Sequence, residues 1–133
     1  MEAYLQTEDL AVGYQGRTLI GEISLAVQRG RIVTLIGPNG SGKSTILKTI
    51  IGQLPSISGS VFLDGADMRS RSRGDVARRM AILMTARMDP ELMTCRDVVS
   101  SGRYPYTGKL GILTAEDRKI VDESLRRTDA EAF

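Results

Sequence analysis

The chain is poor in cysteine, histidine and aromatic residues, and it has no long apolar run. Its 133 residues include one cysteine, no histidine, no tryptophan, four tyrosines and two phenylalanines. A lone cysteine excludes an internal disulfide framework and favours a reducing compartment. No stretch approaches the roughly 18 consecutive apolar residues of a membrane span. The first residues also lack the basic and apolar regions of a secretory signal. We therefore expect a cytoplasmic protein that reaches a membrane only through a partner.

The charge is nearly balanced. Eighteen basic and sixteen acidic residues leave a net charge of +2, which is too small to indicate nucleic-acid binding. Several arginines do cluster between residues 69 and 79. No aromatic residues lie among them, whereas Asp75 lies among them and Asp67 lies just before them. A solvated loop and helix face is therefore favoured over a nucleic-acid interface for Arg69, Arg71, Arg73, Arg78 and Arg79.

The most informative stretch is GPNGSGKST, at residues 37–45, which fits the pattern G-x-x-x-x-G-K-[ST]. Glycines let the backbone bend so that successive N–H groups converge on phosphate oxygens. Lys43 then reaches the β- and γ-phosphates, and the Ser44 hydroxyl binds Mg²⁺. A helix that begins near Gly42 directs its positive end at the same anion. The pattern predicts a triphosphate site formed by Gly37, Asn39, Gly40, Ser41, Gly42, Lys43, Ser44 and Thr45.

The flanking residues predict an α/β fold around this loop. The apolar run 32–36 before it predicts a buried strand, and apolar residues at helical spacing follow it as far as Leu54. Alternating or apolar runs predict further strands at 10–14, 23–27, 60–63 and 81–84. Helices are predicted to begin at Ser72, Thr94 and Thr114, each followed three residues later by aspartate. The chain thus divides into a β-rich segment at about 1–31, a phosphate-loop strand and helix at about 32–54, and a strand and helical segment at about 59–133.

Taken together, the segments 10–14, 23–25, 30–32 and 37–45 resemble the first part of an ABC-transporter ATPase subunit. The Pro38-Asn39-Gly40 interior makes the resemblance more specific than the general loop pattern. It implies a P-loop NTPase core with an N-terminal antiparallel β segment, and ATP with Mg²⁺ as cofactors. It also implies that Tyr14 stacks on adenine, with simple packing at the end of a strand as the alternative.

The sequence departs from the family pattern in several places. A glutamine follows the strand that resembles 81–84 in the family, whereas Thr85 stands here, so the resemblance makes Thr85 a candidate catalytic residue beside Lys43. The Asp-Glu strand, the Leu-Ser-Gly-Gly-Gln segment and the γ-phosphate histidine of the family have no counterpart. Ile120–Glu123 imitates the Asp-Glu strand, but its apolar spacing is helical. We therefore interpret the chain as the N-terminal half of the family's domain, truncated before the Asp-Glu strand, which binds nucleotide but hydrolyses little alone.

Residues 102–108 and 113–117 resemble the branch that imports iron-siderophore, haem or cobalamin. This resemblance implies transmembrane permease subunits, a second copy of the ATPase subunit and, indirectly, a substrate-binding protein as partners, at the cytoplasmic face of the membrane. Met80 and Met84 are interpreted as core residues, and Met88 and Met93 as either core or partner contacts. Two alternatives stay open: a soluble ABC-type ATPase acting on ribosomes or DNA, and a non-catalytic nucleotide-binding module.

Overall fold

The computed structural model describes residues 3–83 and 92–132. The chain forms two compact units, one up to Ser72 and the other from Arg73 onward. Within the described residues, no helix combines the length and the apolar character needed to cross a bilayer.

The first unit is built on a four-stranded antiparallel sheet. Its strands are β1 (Leu5–Tyr14), β2 (Arg17–Val27), β3 (Ser58–Leu63) and β4 (Ala66–Asp67), in the order β2-β1-β3-β4. The turn between β1 and β2 is Gln15-Gly16, whose φ angles are 51° and 76°. Positive φ at both central residues suits a two-residue hairpin, because it matches the right-handed twist of the strands.

A buried hydroxyl lies next to a bulge in β1. Thr7 is 2% exposed, and its Oγ1 donates to the Ile23 carbonyl at 2.8 Å while accepting from the Leu25 N–H at 3.1 Å. The strand then shifts register at Asp9, whose φ is 44°. On the other side of β1, a Cβ on Gly59 would lie 2.3 Å from the Asp9 carbonyl oxygen. The bulge therefore brings backbone so close that only glycine fits at residue 59.

Helix α1 (Lys43–Ile50) covers this sheet. It ends before Gly52, whose φ of 76° is typical of a helix C-terminus. Its buried side chains recur at helical spacing and give the helix one apolar face, while Leu47 lies on the opposite, exposed side. The core joins that face to β1 and β3 and consists of Leu10, Val12, Ile46, Ile50 and Val61.

Three predicted strands are confirmed, and two apolar runs are not strands in the structure. The segments 10–14, 23–27 and 60–63 lie within β1, β2 and β3. The run 32–36 is irregular and exposed, with Ile32 at 95% and Ile36 at 87%. Residues 81–83 are also irregular, and Leu83 is 99% exposed. A strand is completed by hydrogen bonds to a neighbour, and within residues 3–83 and 92–132 the sheet contains only β1 to β4.

The second unit is helical. It contains α2 (Arg73–Ala77), α3 (Cys95–Ser101) and α4 (Ala115–Arg127). Thr94 and Thr114 form capping boxes at the starts of α3 and α4, which confirms both predicted starts. The motif at residues 120–123 lies inside α4, so its helical interpretation is also confirmed.

Asp117 anchors the start of α4. It is 4% exposed, and the Thr114 hydroxyl and N–H donate to its Oδ2 at 2.7 Å and 2.9 Å. The Arg103 Nε donates to Oδ1 at 2.8 Å, and the same guanidinium lies 3.9 Å from the Tyr106 ring centre. The Thr114 hydrogen bonds, followed by that of Arg103, lower the pKa of Asp117 from 3.8 to about 2.

Candidate functional site

The Lys43 ammonium lies at the centre of its own loop. Lys43 is the first residue of α1, and its Nζ donates to the carbonyl oxygens of Gly37 at 2.7 Å and Pro38 at 2.6 Å. The Ser41 hydroxyl is a third neighbour at 3.5 Å. An ammonium group has three donors and no acceptor, and the loop offers it three oxygen atoms as acceptors. Pro38 was not among the predicted site residues, because its contribution is a backbone carbonyl that the motif does not specify.

Two glycines give the loop its shape, for different reasons. Gly40 has a φ of 81°, and a Cβ there would meet nothing within 4 Å. Gly42 has a φ of 88°, and a Cβ there would lie 2.6 Å from Ile20 Cδ1 and 3.1 Å from Leu19 Cδ2. The loop is therefore open on one side at Gly40 and packed against β2 at Gly42. This contact with β2 was missed from the sequence, and the adjacent apolar pair Leu19-Ile20 was its only signal.

The start of α1 is suited to an anion. Gly42 is the N-cap and makes no side-chain capping bond, and the first turn of α1 carries no acidic residue. The hydrogen bond from Ile46 N–H to the Gly42 carbonyl, at 2.9 Å, begins the helical ladder. The N–H groups that precede Ile46 in the helix have no turn before them to accept their hydrogen bonds. Together with the helix dipole, they favour a negatively charged ligand here.

Ser44 places an exposed hydroxyl at the same helix start. A hydroxyl oxygen is a ligand of the hard kind that Mg²⁺ accepts, and Mg²⁺ in phosphate sites uses few protein ligands beside phosphate oxygens and water. Within the part of the chain that the structure describes, no three acidic, histidine or cysteine side chains group as metal ligands. The Ser44 hydroxyl offers one such ligand, so a metal ion held here would take its other oxygen ligands from phosphate and water.

Tyr14 joins the loop from the end of β1. Its hydroxyl lies 3.1 Å from the Thr45 Oγ1, and half of its side chain is exposed. Thr45 is 5% exposed in the first turns of α1, and the Thr49 hydroxyl donates to its carbonyl at 2.9 Å. The structure thus brings Tyr14 and the predicted phosphate loop together, with part of the ring open to solvent. This hydrogen bond was not predicted.

The remaining predicted residues are Thr85 and the methionines. Thr85, Met84 and Met88 fall outside the described residues. Met80 is half-buried, and Met93 is 49% exposed.

Two arginines of the arginine-rich segment form ion pairs with nearby aspartates. Arg69 pairs with Asp67 at 2.8 Å and Arg79 with Asp75 at 2.5 Å. Part of the positive charge of this segment is therefore neutralised locally.

Comparison with protein families matches residues 20–132 to the family described as ABC transporter. Among curated relatives, an ABC transporter ATP-binding protein of Methanocaldococcus jannaschii is 46% identical over 96% of the chain and 44% of its own length. An iron(3+)-hydroxamate import ATP-binding protein of Bacillus subtilis is 41% identical over 93% of the chain and 46% of its own length. A ferric enterobactin transport ATP-binding protein of Escherichia coli is 32% identical over 95% of the chain and 46% of its own length.

Solved structures show the same fold. One described as the ATP-binding subunit of an ABC transporter matches 97% of the chain and 52% of its own, with a TM-score of 0.80 and 27% identity. A nucleotide-free ATP-binding cassette from an ABC transporter matches 99% of the chain and 56% of its own length, with a TM-score of 0.75 and 25% identity. The chain spans about half the length of the curated relatives it matches.

Proposed function

Because this chain belongs to the ABC transporter family, we propose that it supplies the ATP-binding site of a subunit that powers import of an iron chelate. One observation carries the proposal more than any other. The Lys43 ammonium is held at the N-terminus of α1 by the loop carbonyls of Gly37 and Pro38, where an incoming phosphate can take their place.

We assign the parts of the nucleotide to the parts of this site. Lys43 and the N–H groups of the first turn of α1 bind the phosphates, with Gly37, Asn39, Gly40, Ser41 and Gly42 shaping the loop and Thr45 completing it. The Ser44 hydroxyl holds Mg²⁺, which would neutralise phosphate charge. The exposed part of the Tyr14 ring stacks on adenine, because a flat ring offers a platform to any base.

The names of two relatives support the proposed class of cargo. Those of Bacillus subtilis and Escherichia coli are named for iron(3+)-hydroxamate import and ferric enterobactin transport. We carry the class of iron chelates over to this protein, together with transmembrane permease subunits, a second ATPase subunit and an indirectly acting substrate-binding protein. The place of action is then the cytoplasmic face of the membrane, where the protein is peripheral.

We further propose that hydrolysis belongs to the full-length protein and that residues 1–133 alone turn over little ATP. Phosphoryl transfer depends on positioning and on charge stabilisation around the γ-phosphate. Lys43 offers part of that stabilisation. Thr85 is proposed to take the place of the family's glutamine, with a shorter side chain that has one hydroxyl instead of an amide.

Calorimetry with Mg-ATP tests the site in the protein as its gene encodes it. Replacing Lys43 by Ala removes a charged donor to phosphate, which contributes about 1.5–3 kcal/mol, so we expect affinity to fall roughly 10- to 150-fold. Lys48→Ala is the matched control, since Lys48 lies in the last turn of the same helix. It should change affinity by about twofold or less.

Three outcomes discriminate among the functions. Absence of binding by the unmodified protein, or equal affinity in Lys43→Ala, would refute the nucleotide site. Binding without steady-state turnover by the full-length protein would favour a non-catalytic nucleotide-binding module. The third outcome concerns the cargo. If cells that carry the wild type take up no more radiolabelled ferric hydroxamate than cells that carry Lys43→Ala, the proposed cargo is refuted.

A further inference from the structure

We infer that the Tyr14 hydroxyl is a positioning group for nucleotide binding, because its hydrogen bond to Thr45 ties the base platform to the phosphate helix. The inference rests on the proposed function and adds a second role to Tyr14, separate from the stacking of its ring. It concerns the 3.1 Å contact between the Tyr14 hydroxyl and the Thr45 Oγ1.

The two ends of this bond differ in burial. Thr45 is 5% exposed, whereas Tyr14 is 50% exposed and lies at the end of β1. The hydrogen bond therefore attaches the outer end of the ring to a buried partner, while half of the residue stays open to a ligand.

Thr45 is a firm anchor. Its carbonyl accepts the Thr49 hydroxyl at 2.9 Å, and its neighbour Ile46 packs in the core of the first unit. Thr45 also lies in the first turns of α1, directly after the two residues proposed to bind phosphate and Mg²⁺. The bond thus joins residues 31 apart in sequence and sets the separation between the ring and the phosphate-binding turn.

A phenol hydroxyl is more acidic than an aliphatic one, so we assign Tyr14 as donor and Thr45 as acceptor. The tether then orders the ring before any ligand arrives. Ordering in advance lowers the entropic cost of binding, but only for a ligand that contacts both the ring and the phosphate turn. ATP is such a ligand, whereas inorganic tripolyphosphate has no base and gains nothing from an oriented ring.

Tyr14→Phe tests this, because it keeps the ring and removes the tether. In the protein as its gene encodes it, we expect calorimetric affinity for Mg-ATP to fall about three- to tenfold, the range for one hydrogen bond, with affinity for magnesium tripolyphosphate unchanged within about twofold. In a Thr45→Val background, Tyr14→Phe should have no further effect on Mg-ATP. The matched control is Tyr104→Phe, at a tyrosine that is 73% exposed in the other unit.

The outcomes separate this inference from the proposed function. If the wild type binds neither ligand, the nucleotide site itself is refuted. If the wild type binds both, and Tyr14→Phe either leaves Mg-ATP affinity unchanged or weakens both ligands equally, the positioning role is overturned while the nucleotide site stands. Full additivity of Tyr14→Phe and Thr45→Val would also overturn it, because the two hydroxyls would then act independently.

Discussion

Replacing Gly42 by alanine should destabilise the first unit much more than the same change at Gly40. Both glycines have similar left-handed backbones, with φ angles of 88° and 81°. They differ in what a new methyl group would meet. At Gly42 it would lie 2.6 Å from Ile20 Cδ1, whereas at Gly40 nothing lies within 4 Å.

The structure gives the magnitudes. The left-handed conformation costs an L-residue about 1–2 kcal/mol, which applies to both variants. Loss of glycine's freedom in the unfolded chain offsets this by about 0.4–1 kcal/mol, again in both. Only Gly42→Ala adds overpacking, because Ile20 is packed against the core, and we expect a further 1–3 kcal/mol or so. The difference between the two variants therefore isolates the packing of the loop on β2.

Urea unfolding followed by circular dichroism measures both free energies of unfolding. Ile20→Val supplies a second comparison, because valine lacks the Cδ1 atom that the new methyl would meet. The cost of Gly42→Ala should be smaller in that background. Equal destabilisation by Gly42→Ala and Gly40→Ala, within about 0.5 kcal/mol, would refute the packing of Gly42 on β2.

Two further predictions concern stability. Thr7→Val should lower the free energy of unfolding by about 1–3 kcal/mol in urea titrations, because the Ile23 carbonyl and Leu25 N–H lose their buried partner; an unchanged midpoint would contradict this role. Since the pKa of Asp117 is lowered from 3.8 to about 2 by its hydrogen bonds with Thr114, the stability it contributes is present above about pH 4 and is lost as the pH falls towards 2. An acid titration of the protein, followed by the helical signal in circular dichroism, should show this loss in the wild type and not in Asp117→Asn. Identical acid curves would show that Asp117 does not contribute.

The elements with local signals were predictable from the sequence. The phosphate loop and α1 follow from a nine-residue motif and the apolar spacing after it. The starts of α3 and α4 follow from Thr94 and Thr114, whose partners lie only three residues away. Strands β1 and β2 follow from alternation and from the Gln15-Gly16 turn. Each of these signals acts within a few residues of the chain, so a pattern is enough to reveal it.

The features that were missed depend on residues far apart in the sequence. The run 32–36 has the composition of a buried strand, but composition does not supply the neighbouring strand that would pair with it. The bond between Tyr14 and Thr45 joins residues 31 apart, and the approach of Gly42 to Ile20 likewise joins separate elements. Such contacts are set by how the helix lies on the sheet, which no local pattern encodes.

Because Lys43 already donates hydrogen bonds to its own loop, only a strongly charged ligand gains much by binding to it. The ammonium is already satisfied by the Gly37 and Pro38 carbonyls, so an arriving anion exchanges neutral acceptors for charged ones. Binding gains only the difference between the two kinds of bond. A polyphosphate gains from this exchange, while a weakly charged anion gains little and leaves the lysine where it is. The loss of affinity in Lys43→Ala therefore measures the difference between bonds to phosphate and bonds to the loop carbonyls. It is smaller than the full attraction between the lysine and phosphate.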